Sequence, residues 1–197
     1  MKRSLFALAV LTLLACAAPR TAAAIDSGTH IDFVLQFDHT ADNRESFSDG
    51  YGLWVTYRHD WVPDFSIGAS LGWHQFTICR CNIGTGEDTV TAVPLLITAR
   101  FDLPLLGPFT VFGQVSGGVS FNFVSGGTEQ AFHENIDPSP SFDGQLGALY
   151  AFLPNMSGGV LVDVFVSDAN LYSNTNQLPN HVNLGHEGIG FIFEISF

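Results

Sequence analysis

The sequence predicts an all-β fold, an eight-stranded antiparallel up-and-down β-barrel. Three observations favour this fold class. Apolar residues alternate with small or polar residues in eight separate runs, and a period of two is the period of a β-strand. No run keeps a 3.6-residue apolar period over three turns, which argues against helices. Short turns and long loops alternate between the runs, as expected for a chain of hairpins that closes on itself.

Residues 1–24 are expected to form a cleaved signal peptide that precedes the barrel. Two basic residues near the start are followed by an apolar run over 5–18, and small residues occupy 22–24. The run is about fourteen residues long, shorter than the ~20 that a membrane-spanning helix needs. The predicted domains are therefore a signal peptide over 1–24 and a barrel over 25–197. Cleavage before Cys16, with lipidation of that cysteine, stays open as an alternative.

The first half of the barrel domain holds four predicted strands, over 31–38, 51–58, 65–74 and 93–101. In the first strand, Phe33 lies on an apolar face and Asp32 on the opposite face. The second strand places tyrosine, leucine and valine opposite a face that ends in Arg58. The third strand places mainly large apolar residues opposite glycine and serine. The fourth strand places mainly large apolar residues opposite a face that includes Arg100.

The second half holds four more predicted strands, over 111–121, 142–150, 159–166 and 189–197. In the fifth strand, valines oppose glutamine and serine. The sixth places leucine and tyrosine opposite Asp143, and the seventh places four valines opposite a face that carries Asp163. The last strand alternates phenylalanine and isoleucine with a face that carries Glu194.

The connections between the strands differ in length and composition. Short turns that contain Pro63, Pro104 with Pro108, and Pro154 join strands two to three, four to five, and six to seven. The other connections are loops of about eleven to twenty residues, rich in Asp, Asn, Gly, Ser and Thr. In an antiparallel barrel, this alternation places all short turns at one end and all long loops at the other.

The composition of the two strand faces favours a transmembrane barrel over a soluble one. Residues 25–197 hold four arginines, no lysine and nineteen acidic residues, so the chain lacks the basic face of a nucleic-acid binder. The second face carries mostly small polar residues, which suit the narrow interior of an eight-stranded barrel. The apolar face then points to lipid, with aromatic residues expected as interfacial girdles at Tyr51, Tyr57, Trp61, Trp73 and Tyr150. A soluble barrel or sandwich remains the alternative.

Three segments resemble one known superfamily. Residues 190–197 alternate apolar side chains up to a terminal phenylalanine, 93–101 precede a Gly-Pro-Phe turn and a strand rich in glycine and serine, and 150–158 form a compact hairpin. This pattern resembles the small bacterial outer-membrane β-barrels, such as outer-membrane proteins A, W and X. The resemblance implies that the C-terminal pattern is an assembly signal for the barrel-insertion machinery, carried by Phe191, Phe193, Ile195 and Phe197.

The resemblance also implies a cellular location and a set of partners. It indicates a Gram-negative outer-membrane protein that contacts outer-membrane lipid and lipopolysaccharide, with an extracellular ligand that the sequence does not identify. We expect a structural or loop-mediated interaction role, and neither an enzyme nor a cofactor. The alternative is a narrow, porin-like channel or carrier for a small solute, as in the outer-membrane protein W branch. A lipid-modifying barrel enzyme is less favoured, because Gly188 stands where a lipid A deacylase places serine after His186.

Ionisable residues on the small-residue face predict an ion-pair network inside the barrel. The expected members are Arg58, Arg100, Asp32, Asp143, Asp163 and Glu194, and Asp38 shares the same face. Buried carboxylates are costly unless they are paired, and two arginines cannot neutralise all of these acids. A cation-permissive lumen and protons shared between acids are the alternatives.

The predicted loops carry further acids, histidines and a cysteine pair. The loop acids are Asp42, Glu45, Asp49, Glu87, Asp88, Glu129, Glu134, Asp137, Asp168 and Glu187. The histidines in or beside the loops, His39, His133, His181 and His186, are expected to be isolated surface residues, with metal binding as the alternative. A local disulfide is expected between Cys79 and Cys81, against free thiols, an intermolecular bridge or a metal contact.

Overall fold

The computed structural model describes residues 28–40, 49–79, 87–126, 137–169 and 182–197. The strands in this part of the chain are β1 (Thr29–Thr40), β2 (Gly50–Val62), β3 (Phe65–Cys79), β4 (Glu87–Pro104), β5 (Phe109–Gly126), β6 (Asp137–Leu153), β7 (Met156–Ala169), β8 (Val182–Asn183) and β9 (His186–Ser196). None of the described residues belongs to a helix long and apolar enough to span a membrane.

The strands form one closed barrel. Each of β1 to β7 pairs with the next in antiparallel order, and β9 pairs with both β7 and β1. The two-residue β8 pairs only with the end of β7, at Asp168 and Ala169. The wall therefore consists of eight long antiparallel strands, which confirms the predicted fold class.

The apolar face of the strands points outwards. Phe33 is 44% exposed, Leu95 50% and Val162 52%, whereas Asp163 on the opposite face is 2% exposed. Small and polar residues and one group of packed apolar side chains fill the interior, and most of the large apolar side chains surround the barrel as an outer band. This is the inside-out arrangement of a transmembrane barrel, because water would oppose such an exterior.

Tight turns close one end of the barrel. In the turn between β2 and β3, Pro63 precedes Asp64, which adopts a left-handed backbone with φ 62°. Gly107, with φ 71°, provides the same conformation between β4 and β5, where a residue without Cβ is unstrained. We call this the short-turn end, and the opposite end the long-loop end.

Several strands extend further towards the long-loop end than the sequence pattern predicts. β4 begins at Glu87 instead of 93, β6 at Asp137 instead of 142, and β9 at His186 instead of 189. Near this end, outward positions of β4 carry Thr89 and Thr91, so the apolar alternation stops before the backbone pairing does. The predicted placement in loops is therefore wrong for Glu87, Asp88, Asp137, Asp168 and Glu187.

Aromatic side chains lie on the outer surface at two heights. Tyr57, Trp61 and Tyr150 are exposed towards the short-turn end. Tyr51 lies nearer the long-loop end, where its ring meets that of Trp73 at a centroid distance of 5.6 Å. These positions match the two interfaces at which amphipathic rings anchor a membrane barrel.

Candidate functional site

The interior of the barrel holds two polar clusters at different heights. Along β1, the inward side chains from the short-turn end upwards are Asp32, Val34, Gln36 and Asp38, all buried. Asp32 belongs to what we call the lower cluster, and Gln36 and Asp38 belong to the upper cluster. Between the clusters, packed apolar side chains fill the lumen: Val34, Trp54, Leu96, Phe112, Leu149, Leu161, Phe165 and Ile192.

The lower cluster consists of Asp32, Arg58, Arg100 and Glu194. Arg58 Nε donates to Asp32 Oδ2 at 2.8 Å, and its Nη2 donates to Glu194. Arg100 donates to Asp32 at 3.3 Å and to Glu194 at 3.1 Å. Two guanidinium groups thus meet two buried carboxylates, and both guanidinium groups also contact the more exposed Asp102.

Arg100 extends across the barrel to make these contacts. It lies on β4, which is four strands away from the β9 strand of Glu194 in either direction around the barrel. Its guanidinium lies 3.8 Å from the centre of the Phe112 ring and also donates to Asp102 at 2.7 Å. The cluster therefore forms a cross-brace through the lumen near the short-turn end.

The structure brings together four of the six residues predicted for the interior network. Asp163 lies in the upper cluster, away from both arginines. Asp143 pairs in register with Ser116, and neither of its carboxylate oxygens makes a hydrogen bond to the described residues. A carboxylate without such partners is costly to bury in its charged form.

The upper cluster consists of Gln36, Asp38, His74, Asp163 and His186. His74 Nδ1 lies 2.9 Å from Asp38 Oδ2, and His186 Nε2 lies 3.5 Å from Asp38 Oδ1 and 3.7 Å from Asp163 Oδ2. The Gln36 amide donates to Asp38 at 2.6 Å and to Asp163 at 3.1 Å. All five side chains are buried.

Glycines provide the space that these side chains occupy. Gly188 pairs with Asp38 on one side and with Asp163 on the other, so it separates the two carboxylates along the wall. Gly52 pairs with His74, and a Cβ at Gly52 would lie 2.5 Å from the imidazole Nδ1. The narrow lumen accommodates the cluster because the intervening positions lack side chains.

Aromatic rings surround the two imidazoles. The His74 ring stacks on Phe165 at a centroid distance of 5.5 Å and meets Trp54 edge-on at 4.9 Å. His186 packs against Phe76 at 5.3 Å and Phe165 at 5.0 Å. These rings cover both imidazoles, which are at most 1% exposed.

Several polar atoms in this region find no hydrogen-bond partner among the described residues. They are Gln36 Oε1, Trp54 Nε1, His74 Nε2, Asp163 Oδ1 and His186 Nδ1. Buried polar atoms are satisfied in the great majority of cases, so a group of exceptions in one place needs a physical explanation. The cluster offers donor and acceptor atoms to something other than itself.

Sequence reasoning missed the upper cluster. It omitted His74 from the interior ionisable set, and its placement of His186 in a loop is wrong, because β9 begins at that residue. Extending the period of two backwards from Gly190 through Gly188 would have put His186 on the inner face. His39 is more than half exposed and contacts Asp49 at 2.5 Å, while His133 and His181 lie outside the described residues.

Two other predicted features lie at the ends of strands. Cys81 is outside the described residues and Cys79 is the last residue of β3, so the disulfide stays a prediction. Phe191, Phe193 and Ile195 occupy outward positions of β9, followed by the exposed Phe197. Their role as an assembly signal also stays a prediction.

A hollow of about 580 Å³ lies at the outer wall. Its lining includes Phe37, Leu146, Val162 and Ile189, and Gly144 leaves open space where a side chain would stand. The β6–β7 and β7–β9 ladders run past it without interruption. The hollow is therefore a groove along a continuous wall, and Asp163 and Gly188 at the upper cluster also belong to its lining.

Known structures share this architecture. Neisserial surface protein A aligns with a TM-score of 0.56 at 10% identity over 86% of this chain and 96% of its own. The outer membrane protein OprG of Pseudomonas aeruginosa gives 0.57 at 14% identity over 87% and 96%. Ail, the attachment invasion locus protein of Yersinia pestis, gives 0.52 at 10% identity over 88% and 100%.

The likeness to these proteins is one of fold and not of sequence. No protein-family model matches the chain, and no curated protein matches it in sequence. The three structures are all similar to this chain over nearly their whole length, and their barrels share its strand number. The chain therefore has the fold of the small eight-stranded outer-membrane β-barrels, as the resemblance in its sequence implies.

Proposed function

We propose that this chain is a non-conducting barrel of the bacterial outer membrane, with a structural or loop-mediated interaction role in the envelope. The apolar exterior and the closed ladder support insertion in a bilayer, where open sheet edges have no hydrogen-bond partners. The fold shared with OprG and Neisserial surface protein A supports the outer membrane as the location. Residues 1–24 would direct export as a signal peptide.

The observation that carries this proposal is the double closure of the lumen. At the lower level, Arg100 on β4 reaches Glu194 on β9, the opposite strand of the barrel. At the upper level, His74 on β3 stacks on Phe165 on β7, which is again the opposite strand. Between these two levels, the apolar side chains pack against one another.

A cavity of about 200 Å³ lies below the lower cluster. It does not open a path through the lumen. It is lined by His30, Arg58, Asp60, Asp102 and Glu194, among others. Its upper boundary is the ion-paired guanidinium of Arg58, which is 1% exposed. A solute that entered from the short-turn end would meet two buried ion pairs before the apolar layer.

The test is reconstitution of the full chain into planar lipid bilayers. Folded protein recovered from the outer-membrane fraction of expressing cells should insert and give no steady single-channel current, because the lumen is blocked at two levels. A general porin in the same bilayer is the positive control for insertion and detection. A steady, concentration-dependent current would contradict the proposal and favour a narrow channel, and recovery of the chain from the soluble periplasm would contradict the membrane location.

The absence of an enzymatic role is part of the same proposal. The described residues carry no serine beside a histidine on the outward face, which is the arrangement of lipid A deacylases. Both buried histidines face the interior, among aromatic rings and carboxylates. Release of fatty acid from labelled lipid A by the reconstituted barrel would overturn this part of the proposal.

A further inference from the structure

We infer that the upper cluster is a binding site for a divalent transition-metal cation of the zinc type, held by Asp38, His74 and His186 with Asp163 as a fourth ligand. This inference is independent of whether the barrel conducts. The sequence left metal binding by His39, His133, His181 and His186 as an alternative, and this site shares only His186 with that set.

The first support is the spacing of the donor atoms. Asp38, His74 and His186 each offer one ligand atom, and these atoms all lie within 4.8 Å of one another. Zinc bonds of about 2.0–2.1 Å place tetrahedral ligand atoms ~3.3 Å apart. His74 Nδ1 lies 2.9 Å from Asp38 Oδ2, and His186 Nε2 lies 3.5 Å from Asp38 Oδ1, both near that value. Asp163 Oδ2 lies 3.7 Å from His186 Nε2, so a small movement of its side chain would bring it into the set.

The second support is the charge of the upper lumen. Asp38, Asp163 and Asp143 are buried at this level, and both arginines of the described chain lie in the lower cluster. The only described groups in the upper cluster that can carry positive charge are the two imidazoles. A bound dication would neutralise two carboxylates and leave the imidazoles neutral, which is the form in which they ligate metals.

The third support is the set of polar atoms without partners. Asp163 Oδ1 and Gln36 Oε1 belong to the cluster, and both residues are buried. The Gln36 amide lies among the donors, with its nitrogen 3.4 Å from His186 Nε2. Rotation of that amide by half a turn would direct its free oxygen towards the cation.

The donor chemistry selects the class of metal. Two imidazole nitrogens with two carboxylate oxygens match zinc and its neighbours in the first transition row, whereas calcium and magnesium prefer oxygen alone. The surrounding rings of Trp54, Phe76 and Phe165 provide an apolar shell that limits competition from water.

The experiment titrates cobalt(II), a spectroscopic substitute for zinc, into the full chain in detergent micelles. The protein is stripped with chelator and refolded with the metal present, so that binding does not depend on entry into a closed barrel. We expect one equivalent of cobalt per chain, visible absorption typical of four-coordinate nitrogen and oxygen ligands, and displacement of cobalt by zinc.

Matched variants locate the site. Asp38→Asn keeps the size of the side chain and should weaken cobalt binding by roughly 100-fold or more, since even the loss of an outer-sphere partner costs ~10–100-fold. Asp163→Asn is the second variant if Asp38→Asn fails to fold, as judged by heat-modifiable gel mobility. His39→Gln, at an exposed histidine outside the cluster, should bind cobalt as the unaltered chain does.

Three outcomes would overturn the inference. They are a folded chain that retains neither cobalt nor zinc after desalting, folded Asp38→Asn and Asp163→Asn variants that bind as tightly as the unaltered chain, and loss of binding on His39→Gln. Unchanged imidazole NMR signals of His74 and His186 on addition of cobalt would have the same meaning, because a paramagnetic ion shifts the resonances of its own ligands.

Discussion

The lower and upper clusters occupy the same narrow lumen, on many of the same strands, yet they treat buried charge differently. In the lower cluster, Arg58 and Arg100 neutralise Asp32 and Glu194 through direct contacts. The upper cluster surrounds its carboxylates with an amide and two imidazoles.

The difference indicates that the two clusters have different physical roles. The lower cluster is complete, because each of its charged groups has an opposite charge within reach. The upper cluster has acids in excess and polar atoms without partners, which makes it dependent on protons or on a bound cation. The substitutions below test this contrast, from the largest expected effect to the smallest.

Removal of Arg100 should have the largest effect on stability. The Arg100→Ala variant leaves Asp32 and Glu194 with one guanidinium between them, and breaking such a buried pair costs about 3–5 kcal/mol. The measurement is urea unfolding of the barrel in micelles, followed by tryptophan fluorescence and by heat-modifiable gel mobility. Asp102→Asn, at the more exposed edge of this cluster, is the control and should change stability by less than ~1 kcal/mol. Equal stability of Arg100→Ala and the unaltered chain would show that the contacts of Arg100 across the lumen do not stabilise the barrel.

A methyl group at Gly188 should disturb the upper cluster without touching the lower one. The Cβ of Gly188→Ala would collide with the Asp163 carboxylate and lie 3.1 Å from Asp38 Oδ1. Overpacking of this kind costs ~1–3 kcal/mol, and the displaced carboxylates should also lose cobalt binding. Gly144→Ala is the matched control, since its Cβ meets nothing within 4 Å. Identical unfolding curves for the two variants would show that the upper cluster is loosely packed.

Replacement of aspartate by asparagine should have opposite effects on stability in the upper and the lower part of the lumen. Asp143→Asn removes a buried acid whose oxygens make no hydrogen bond to the described residues, and at a pH where that acid is ionised it should stabilise the metal-free barrel by about 1 kcal/mol. Asp32→Asn removes a carboxylate that accepts from both arginines, and should destabilise the barrel. Unfolding of both variants under one set of conditions gives the comparison. A loss of stability with Asp143→Asn would mean that its carboxylate is satisfied in the folded chain.

The strand number, the closure and the orientation of the faces follow from the sequence. Residues such as Phe33 and Val162 indicate the outer face, because the hydrocarbon layer requires apolar side chains over the whole width of the bilayer. The interior of the barrel does not require a single class of side chain. Inner positions of β9 carry residues as different as His186, Gly188 and Glu194, so the inner face has no clear pattern where the outer face becomes polar.

The partners inside the lumen do not follow from the sequence. Which strands meet across the barrel depends on the tilt and stagger of closure, and no local pattern encodes these. The sequence thus predicts that Asp32 and Asp163 share the interior, but not that Asp32 meets Arg100 while Asp163 meets Gln36. The predicted strands stop short of the long-loop end for a different reason, because outward positions there carry polar residues such as Thr89 and Thr91.

The unequal lengths of the strands give the barrel a high side and a low side. β4 and β5 each have 18 residues and β6 has 17, whereas β1 has 12 and β9 has 11. A tilted strand crosses a bilayer in ~9–11 residues, so β4 and β5 exceed that requirement by about seven. At ~3.3 Å per residue and a tilt near 40°, these seven residues extend the sheet roughly 18 Å beyond the hydrocarbon layer. Among the described residues, the strands on the β4–β6 flank therefore extend further beyond the hydrocarbon than those on the β1–β9 flank.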